Sequence, residues 1–143
     1  MKYFVGLDVS MKLTSVCIMD ETVKVVHESE VTTNPKSIAN RILLKKFDIK
    51  IVGLESGAVS HYLVKELTDL GIPVVCVDAR KMNLILSINI NKTDKNDAKG
   101  IANAMRTDMF TAVHPKPQKD VDRSTVLAMR KKLIQSRTDL KKQ

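Results

Sequence analysis

The order of the apolar segments limits the folds open to this chain more than any other feature. Three segments rich in β-branched residues come first, at residues 2–10, 13–20 and 22–31, and the links between them are too short to hold helices. Such segments predict an antiparallel meander of three strands. Two further strand-like runs follow, each after a helical segment, so the sheet continues with strands that need crossover connections.

The first crossover begins with a clear helix-start signal. Asn34 and Pro35 open a segment, residues 34–47, whose apolar side chains fall at helical spacing. Residues 49–56 then form a short and almost wholly apolar run, which is typical of a buried central strand. We therefore predict a helix followed by an inner strand of the sheet.

The second crossover repeats this pattern. Residues 59–71 predict a helix that ends at Gly71, and residues 72–78 predict another buried strand. Residues 79–89 fit either a helix or an extended segment. Residues 94–108 predict a helix that turns three apolar side chains inward, namely Ile101, Ala102 and Met105.

These elements together predict an α/β fold of the ribonuclease H-like type. The chain has 143 residues, of which 43% are hydrophobic, and this is enough for one domain with its own core. The expected architecture is a mixed five-stranded sheet with flanking helices, followed by a C-terminal amphipathic helix. We assign residues 1–112 to the domain and residues 113–143 to a linker and the start of a helical spacer.

The spacer has the features of a coiled-coil strand. Two prolines in residues 112–118 indicate a linker, and an amphipathic helix is predicted from residue 119. Val126, Met129, Leu133 and Leu140 approximate a heptad seam, which Ser136 interrupts. No stop signal precedes residue 143, so we expect the chain to be a fragment of a longer protein.

Positive charge is concentrated near the C-terminus. The net charge is +8, and residues 115–143 hold nine Lys and Arg against three Asp. A basic segment of this kind predicts contact with nucleic acid, although a solvated helix face explains the same charges equally well. The candidate nucleic-acid-binding residues are Lys92, Lys95, Lys116, Lys119, Arg123, Arg130, Lys131, Lys132 and Arg137.

Four acids are candidate metal ligands. Asp8 and Glu55 lie at the ends of two strands that are neighbours in the predicted sheet, and ligands gather at the carboxyl ends of such strands. Asp94 and Asp97 are three residues apart, so they share one face of the later helix. Taken alone, this last pair fits helix capping as well, and Asp8 fits a turn. Their convergence at one sheet edge predicts a Mg²⁺ or Mn²⁺ site.

Other features limit the location and the chemistry. Cys17 and Cys76 sit inside apolar runs, which predicts buried reduced thiols, and no Cys or His spacing indicates zinc. Asp8 interrupts the only stretch that could resemble a signal peptide, and no apolar run has a membrane-spanning length. We expect a cytoplasmic protein without a membrane partner.

Three motifs carry a resemblance to a known family. The stretches "YFVGLDVSMK", "LESG" and "KTDKNDAKGIA" resemble the N-terminal, RuvC-like domain of the DEDD insertion-sequence transposases related to the Piv DNA invertase. The resemblance covers nearly the whole chain and implies that the catalytic, metal-binding set is Asp8, Glu55, Asp94 and Asp97. The family pattern often has a lysine directly after the serine, where this chain has Met11.

The resemblance implies a role in DNA transposition and recombination. Family members carry a second domain with a serine implicated in strand exchange, and a structured guide RNA is associated with at least some of them. By this resemblance we expect a divalent-metal-dependent transposase domain that acts on DNA. Oligomerisation is expected of the full-length protein, and the isolated fragment is expected to be inactive or weakly active.

Three alternatives stay open at this point. A Holliday-junction-resolvase-like nuclease would use the same acids, and a non-catalytic RNA- or DNA-binding module would depend on the basic residues instead. An actin-like or sugar-kinase ATPase also begins with a strand, an acid and a turn. That class requires glycine after the acid for phosphate to approach, and this chain has Val9 and Ser10 there.

Overall fold

The fold is known from a computed structural model that describes residues 1–87 and 94–141. Strands β1 (Tyr3–Val9), β2 (Leu13–Asp20) and β3 (Val25–Thr32) form an antiparallel meander. Strands β4 (Ile49–Glu55) and β5 (Val74–Val77) extend the sheet in parallel on the other side of β1. The strand order is β3-β2-β1-β4-β5, which confirms the predicted mixed five-stranded sheet.

Helices connect and follow these strands. They are α1 (Pro35–Leu43), α2 (Ser60–Asp69), α3 (Ala79–Leu86), α4 (Asp94–Thr107) and α5 (Gln118–Lys141). The segment left open between helix and extended structure is therefore helical as far as Leu86. Its last two residues lie outside the described part of the chain.

Local hydrogen bonds fix the start and end of several elements as the sequence predicts. The Asn34 side chain accepts hydrogen bonds from the backbone N–H groups of Lys36, at 2.9 Å, and Ser37, at 3.4 Å, which caps α1. Gly71 follows α2 with a φ of 80°, a left-handed conformation that glycine adopts without strain. In the β2–β3 turn, the Asp20 carboxylate accepts from the backbone N–H of Thr22 at 2.8 Å.

The first core layer lies between the sheet and helices α1 and α2. Alternate residues of the central strands point into it, because successive side chains of a strand face opposite sides. Its fully buried members include Val5, Leu7, Val52, Leu54, Ile38, Ile42, Leu63 and Leu67.

Helix α1 ends earlier than the sequence predicts. Helix α1 ends at Leu43, which is 51% exposed, and Lys46 then turns the chain with a φ of 50°. Phe47 still reaches the core from outside the helix, where its ring lies 4.3 Å from that of Tyr3. In the segment of α2, the apolar side chains of Tyr62 and Leu70 are about half exposed, at 49% and 45%.

The second core layer lies between the sheet and helices α3 and α4. Ile101, Ala102 and Met105 are buried there, as the sequence predicts. Helix α4 lies very close to β1, since a Cβ atom on Gly6 would meet the carbonyl oxygen of Ala98 and lie 2.5 Å from the backbone nitrogen of Ala102. Only glycine allows this approach.

The segment before α5 is attached to the sheet. The backbone N–H of Asp78 donates to the carbonyl of Thr111 at 2.9 Å, and the N–H of Val113 donates to that of Cys76 at the same distance. Ala112 thereby forms an antiparallel bridge with Val77 at the edge of β5. We call residues 111–113 the edge strap.

Helix α5 contributes little to the core of this chain. Every side chain described between Lys119 and Lys141 is exposed. The predicted seam residues are among them, with Val126 64% exposed and Leu133 71% exposed. Within the described ranges, no helix combines the length and apolar composition needed to cross a membrane.

The close approach at Gly6 leads to a stability prediction. Gly6→Ala should lower the free energy of unfolding by about 1–3 kcal/mol, because the added methyl group forces α4 away from β1. Gly57→Ala is the matched control, since a Cβ there meets nothing within 4 Å. Urea denaturation followed by circular dichroism measures both, and equal midpoints for the two variants would contradict the predicted packing.

Candidate active site at the sheet edge

Asp8 and Glu55 lie at the ends of adjacent parallel strands. The β1–β4 register pairs Gly6 with Gly53 and Leu7 with Leu54, so each acid follows the last of these pairs by one residue. Both Gly6 and Gly53 face α4, and side chains two residues apart share a face. The two carboxylates therefore belong to the α4 side of the sheet, at the same edge.

Asp97 approaches this edge from the helix. It precedes Ala98, whose carbonyl oxygen lies over Gly6, and its own side chain is only 9% exposed. A carboxylate is rarely buried to this extent without a polar partner or a cation. The contact between α4 and β1 thus brings a buried acid close to the strand that carries Asp8.

The turn after Asp8 is held by serine and threonine hydroxyl groups. The Ser10 hydroxyl donates to the carbonyl of Leu13 at 2.7 Å, and Thr33 donates to the carbonyl of Ser10 at 2.7 Å. A further hydrogen bond joins the hydroxyls of Thr14 and Thr33 at 2.9 Å. These bonds give the β1–β2 turn a defined shape and assign Ser10 a structural role.

The loop after Glu55 is fixed in a similar way. The Ser60 hydroxyl donates to the carbonyl of Gly57 at 2.8 Å and accepts from its N–H at 3.1 Å. The Ser56 hydroxyl accepts from the backbone N–H of Ala79 at 3.3 Å. Glu55 is consequently followed by a loop that is tied to both α2 and α3.

A cleft opens between these two turns. Its volume is about 370 Å³, and its walls are residues 8–11 and 54–60, with Asp8 and Glu55 among them. Both acids are half-buried, so each is partly enclosed by the protein and partly exposed to the cleft. The volume of the cleft is large enough for a phosphodiester group and the water around it.

The structure places the four predicted ligands as follows. Asp8, Glu55 and Asp97 come from three neighbouring elements on one side of the sheet. Asp94 is the first residue of α4, and its side chain lies outside the described part. Among the described side chains, no group of three or more His, Cys, Asp or Glu is close enough to form a metal site.

The predicted nucleic-acid-binding residues fall in two regions. Lys92 and the side chain of Lys95 lie outside the described part of the chain. The others are exposed and belong either to the segment after the edge strap or to α5; they are Lys116, Lys119, Arg123, Arg130, Lys131, Lys132 and Arg137.

One neighbour of the site was missed by sequence reasoning. Ser15 pairs with Asp8 across the β1–β2 ladder and is only 5% exposed. Like Cys17, which lies two residues further along the strand, it belongs to the α4 side of the sheet. Nothing in the sequence around an isolated serine indicates this position, because the position depends on the register between β1 and β2.

A sheet of this order, with carboxylates at the ends of its two central parallel strands, defines a RuvC-like domain of the ribonuclease H-like class. Thermus thermophilus RuvC in complex with a Holliday junction substrate is similar, with a TM-score of 0.54 and 13% sequence identity over 79% of this chain and 100% of that chain. A second T. thermophilus RuvC structure has a TM-score of 0.51 and 12% identity, and the match covers 78% of this chain and 99% of that chain.

The family model for DEDD transposases of the IS110 type, described as "Transposase", matches residues 5–143. The chain belongs to this family of transposases, and its domain has a RuvC-like fold. No curated protein matches the sequence. The predictions of fold, family and general function are thereby confirmed.

The thiol beneath α4 gives a test of how closely this helix is packed. Burial, with a smaller contribution from nearby Glu28, raises the pKa of the Cys17 thiol to about 12. Roughly one such thiol in ten thousand is then ionised at pH 8, and the thiolate is the reactive form. Burial also raises the pKa of Cys76.

We therefore expect neither cysteine to react with a disulfide reagent at pH 8 until denaturant is added. Thiol release, measured by absorbance, checks this in the native protein. Gly6→Ala should accelerate the reaction of Cys17, because it loosens the helix above it. Immediate release of one thiol from the unmodified native protein would contradict the packing of α4 on β2.

Proposed function

We propose that Asp8, Glu55, Asp94 and Asp97 bind Mg²⁺ or Mn²⁺, and that the domain cleaves or transfers DNA strands at phosphodiester bonds of a mobile element. One observation carries this proposal. Two acids end adjacent parallel strands on the α4 side of the sheet, and α4 adds the buried Asp97.

The donor atoms suit a divalent cation. Carboxylate oxygens are hard ligands of the kind that Mg²⁺ and Mn²⁺ prefer. Acids gathered at one edge repel each other, and a cation relieves this repulsion. When bound, such ions activate an attacking oxygen and stabilise the leaving oxygen in phosphodiester chemistry.

The residues of the chain have distinct tasks in this proposal. Asp8 and Glu55 are half-buried in the cleft wall, so they can hold a ligand while the open side admits the DNA backbone. Asp97 is held by the packing of α4 on Gly6, which limits its movement. The hydroxyl-bonded turn at Ser10 keeps the end of β1 in place.

The metal proposal predicts a specific loss of function. Asp8→Asn combined with Asp97→Asn should abolish Mn²⁺ binding measured by calorimetry, and it should reduce by at least about 100-fold any nicking of supercoiled plasmid that the chain supports. Loss of even an outer partner of a metal ligand typically costs 10- to 100-fold. Asp69→Asn is the control, because this exposed acid pairs with Lys65 at 3.1 Å, away from the cleft.

The results separate the alternative functions. Equal metal binding by the double variant and the control would sink the metal proposal. Intact DNA binding without Mn²⁺ binding would favour a non-catalytic docking module. Cutting of four-way junctions in strong preference to other DNA would favour a resolvase-like nuclease.

Several partners remain predictions. DNA contact through the exposed basic residues after the edge strap is supported by their charge and exposure. A structured guide RNA is carried over from the family resemblance alone. A cytoplasmic location is expected of a protein that acts on cellular DNA.

We further propose that α5 associates with another copy of itself. The helix of 24 residues is about 36 Å long and exposes an apolar series along its length. Residues of the predicted seam are joined by Leu127, 57% exposed, and Ile134, 44% exposed. A helix that only bound nucleic acid through its basic residues would not require these apolar side chains.

Substitutions in the interrupted seam should change self-association in opposite directions. Ser136→Leu should strengthen self-association by about tenfold or more, because burying a leucine contributes about 1.5–3 kcal/mol. Leu133→Lys should weaken it by a similar factor. Sedimentation equilibrium measures both, and Ser124→Leu, off the seam, controls for added hydrophobicity. Identical monomeric behaviour of all variants would contradict association through α5.

A further inference from the structure

A second cavity continues the cleft of the candidate active site. Its volume is about 490 Å³, and it is lined by Ser56, Gly57, Ala58 and Ser60 on one side. These four residues also line the first cavity. The two cavities therefore adjoin along this loop, and we call the pair of them the exit groove.

The shared wall of the exit groove is open and well fixed. Space beside Gly57 is free, since a Cβ atom there would meet nothing within 4 Å. The Ser60 hydroxyl nevertheless holds Gly57 through two hydrogen bonds, at 2.8 and 3.1 Å. A chain-like ligand could pass this point without displacing protein atoms.

The opposite wall is held by the edge strap. Val113 packs partly against the core, and its N–H donates to the carbonyl of Cys76 at 2.9 Å. The next residues, His114, Pro115 and Lys116, then line the far end of the groove. The sheet thus positions a lysine that local sequence reasoning assigns to a linker.

Charge differs between the two ends. The near end carries the two acids, whereas the described lining of the far cavity contains Lys116 and His114 and, within that part of the chain, no carboxylate. A metal-occupied near end and a basic far end both attract phosphate. The intervening walls, which include Ala58, Val113 and Pro115, suit the less polar sugar and base parts of a nucleotide.

We infer that the exit groove binds the DNA strand that continues from the scissile phosphate, with Lys116 pairing with a neighbouring phosphate. This inference rests on the proposed function, because it takes the reaction centre to lie at Asp8 and Glu55. Its occupant is one strand of DNA. Among the residues that the structure describes, the groove lining contains no Phe, Tyr or Trp, so phosphate charge rather than base stacking provides the attraction.

Photo-crosslinking from within the groove tests the path. His114→Cys, in the part of the groove that the candidate active site does not share, is labelled with azidophenacyl bromide, and the native cysteines stay unlabelled because both are buried. Asn40→Cys is the matched control, since this exposed residue lines a separate surface cavity of about 390 Å³. Each full-length labelled chain is irradiated with a short fluorescein-labelled single-stranded DNA in Ca²⁺, and anisotropy measures its affinity.

We expect the probe at residue 114 to crosslink to DNA at least severalfold more efficiently than the probe at residue 40. Equal crosslinking at matched DNA occupancy would overturn the inference and leave the proposed function intact. Crosslinking to RNA of the same sequence but not to DNA would overturn the assigned occupant. Failure of the unlabelled chain to bind DNA at all would overturn both proposals.

The role of Lys116 has its own readout. Lys116→Ala should reduce the slope of log affinity against log salt by about 0.7, the value for one phosphate contact on a single strand. Lys36→Ala, an exposed lysine on α1, removes the same charge elsewhere and should leave the slope unchanged. Equal slopes for the two variants would overturn the assignment of Lys116 to the groove.

Discussion

The contact between Gly6 and the backbone of α4 is the constraint on which the rest of the structure depends. It removes any side chain between β1 and the helix, so Ala98 and Ala102 lie directly on the strand. Asp97, one residue earlier, is thereby buried at the edge where Asp8 and Glu55 end their strands. The absence of a side chain at Gly6 therefore allows the close packing of the second core layer and also sets the position of Asp97.

Much of the fold could be predicted because its signals are local. Strand alternation, the Asn34 cap and the stop at Gly71 depend on neighbouring residues, and the structure contains each of them. The errors fall where tertiary contacts decide. Phe47 has helical spacing, yet it packs on Tyr3 after the helix has ended. Residues 112–118 are predicted as a linker because their two prolines are visible in the sequence, whereas the pairing of the edge strap with β5 is not.

The candidate site was predictable to a similar degree. Asp8 and Glu55 follow from strand order, because the carboxyl ends of adjacent parallel strands must meet. The surrounding polar network does not follow from any motif. Thr33 supports the turn after Asp8 from a position 23 residues away, and Ser15 is placed beside Asp8 only by the ladder register. Sequence reasoning can identify such acids, but the residues that hold them require the fold.

The edge strap also has a mechanical consequence. Helix α5 joins the domain through a short segment whose backbone is bonded to β5 on both sides of Val77. Tension applied along α5 would therefore load the sheet at the end of β5, beside the loop that follows Glu55, before it reached the rest of the core. Pulling or twisting of this helix by a partner would be transmitted first to the edge that carries the acids.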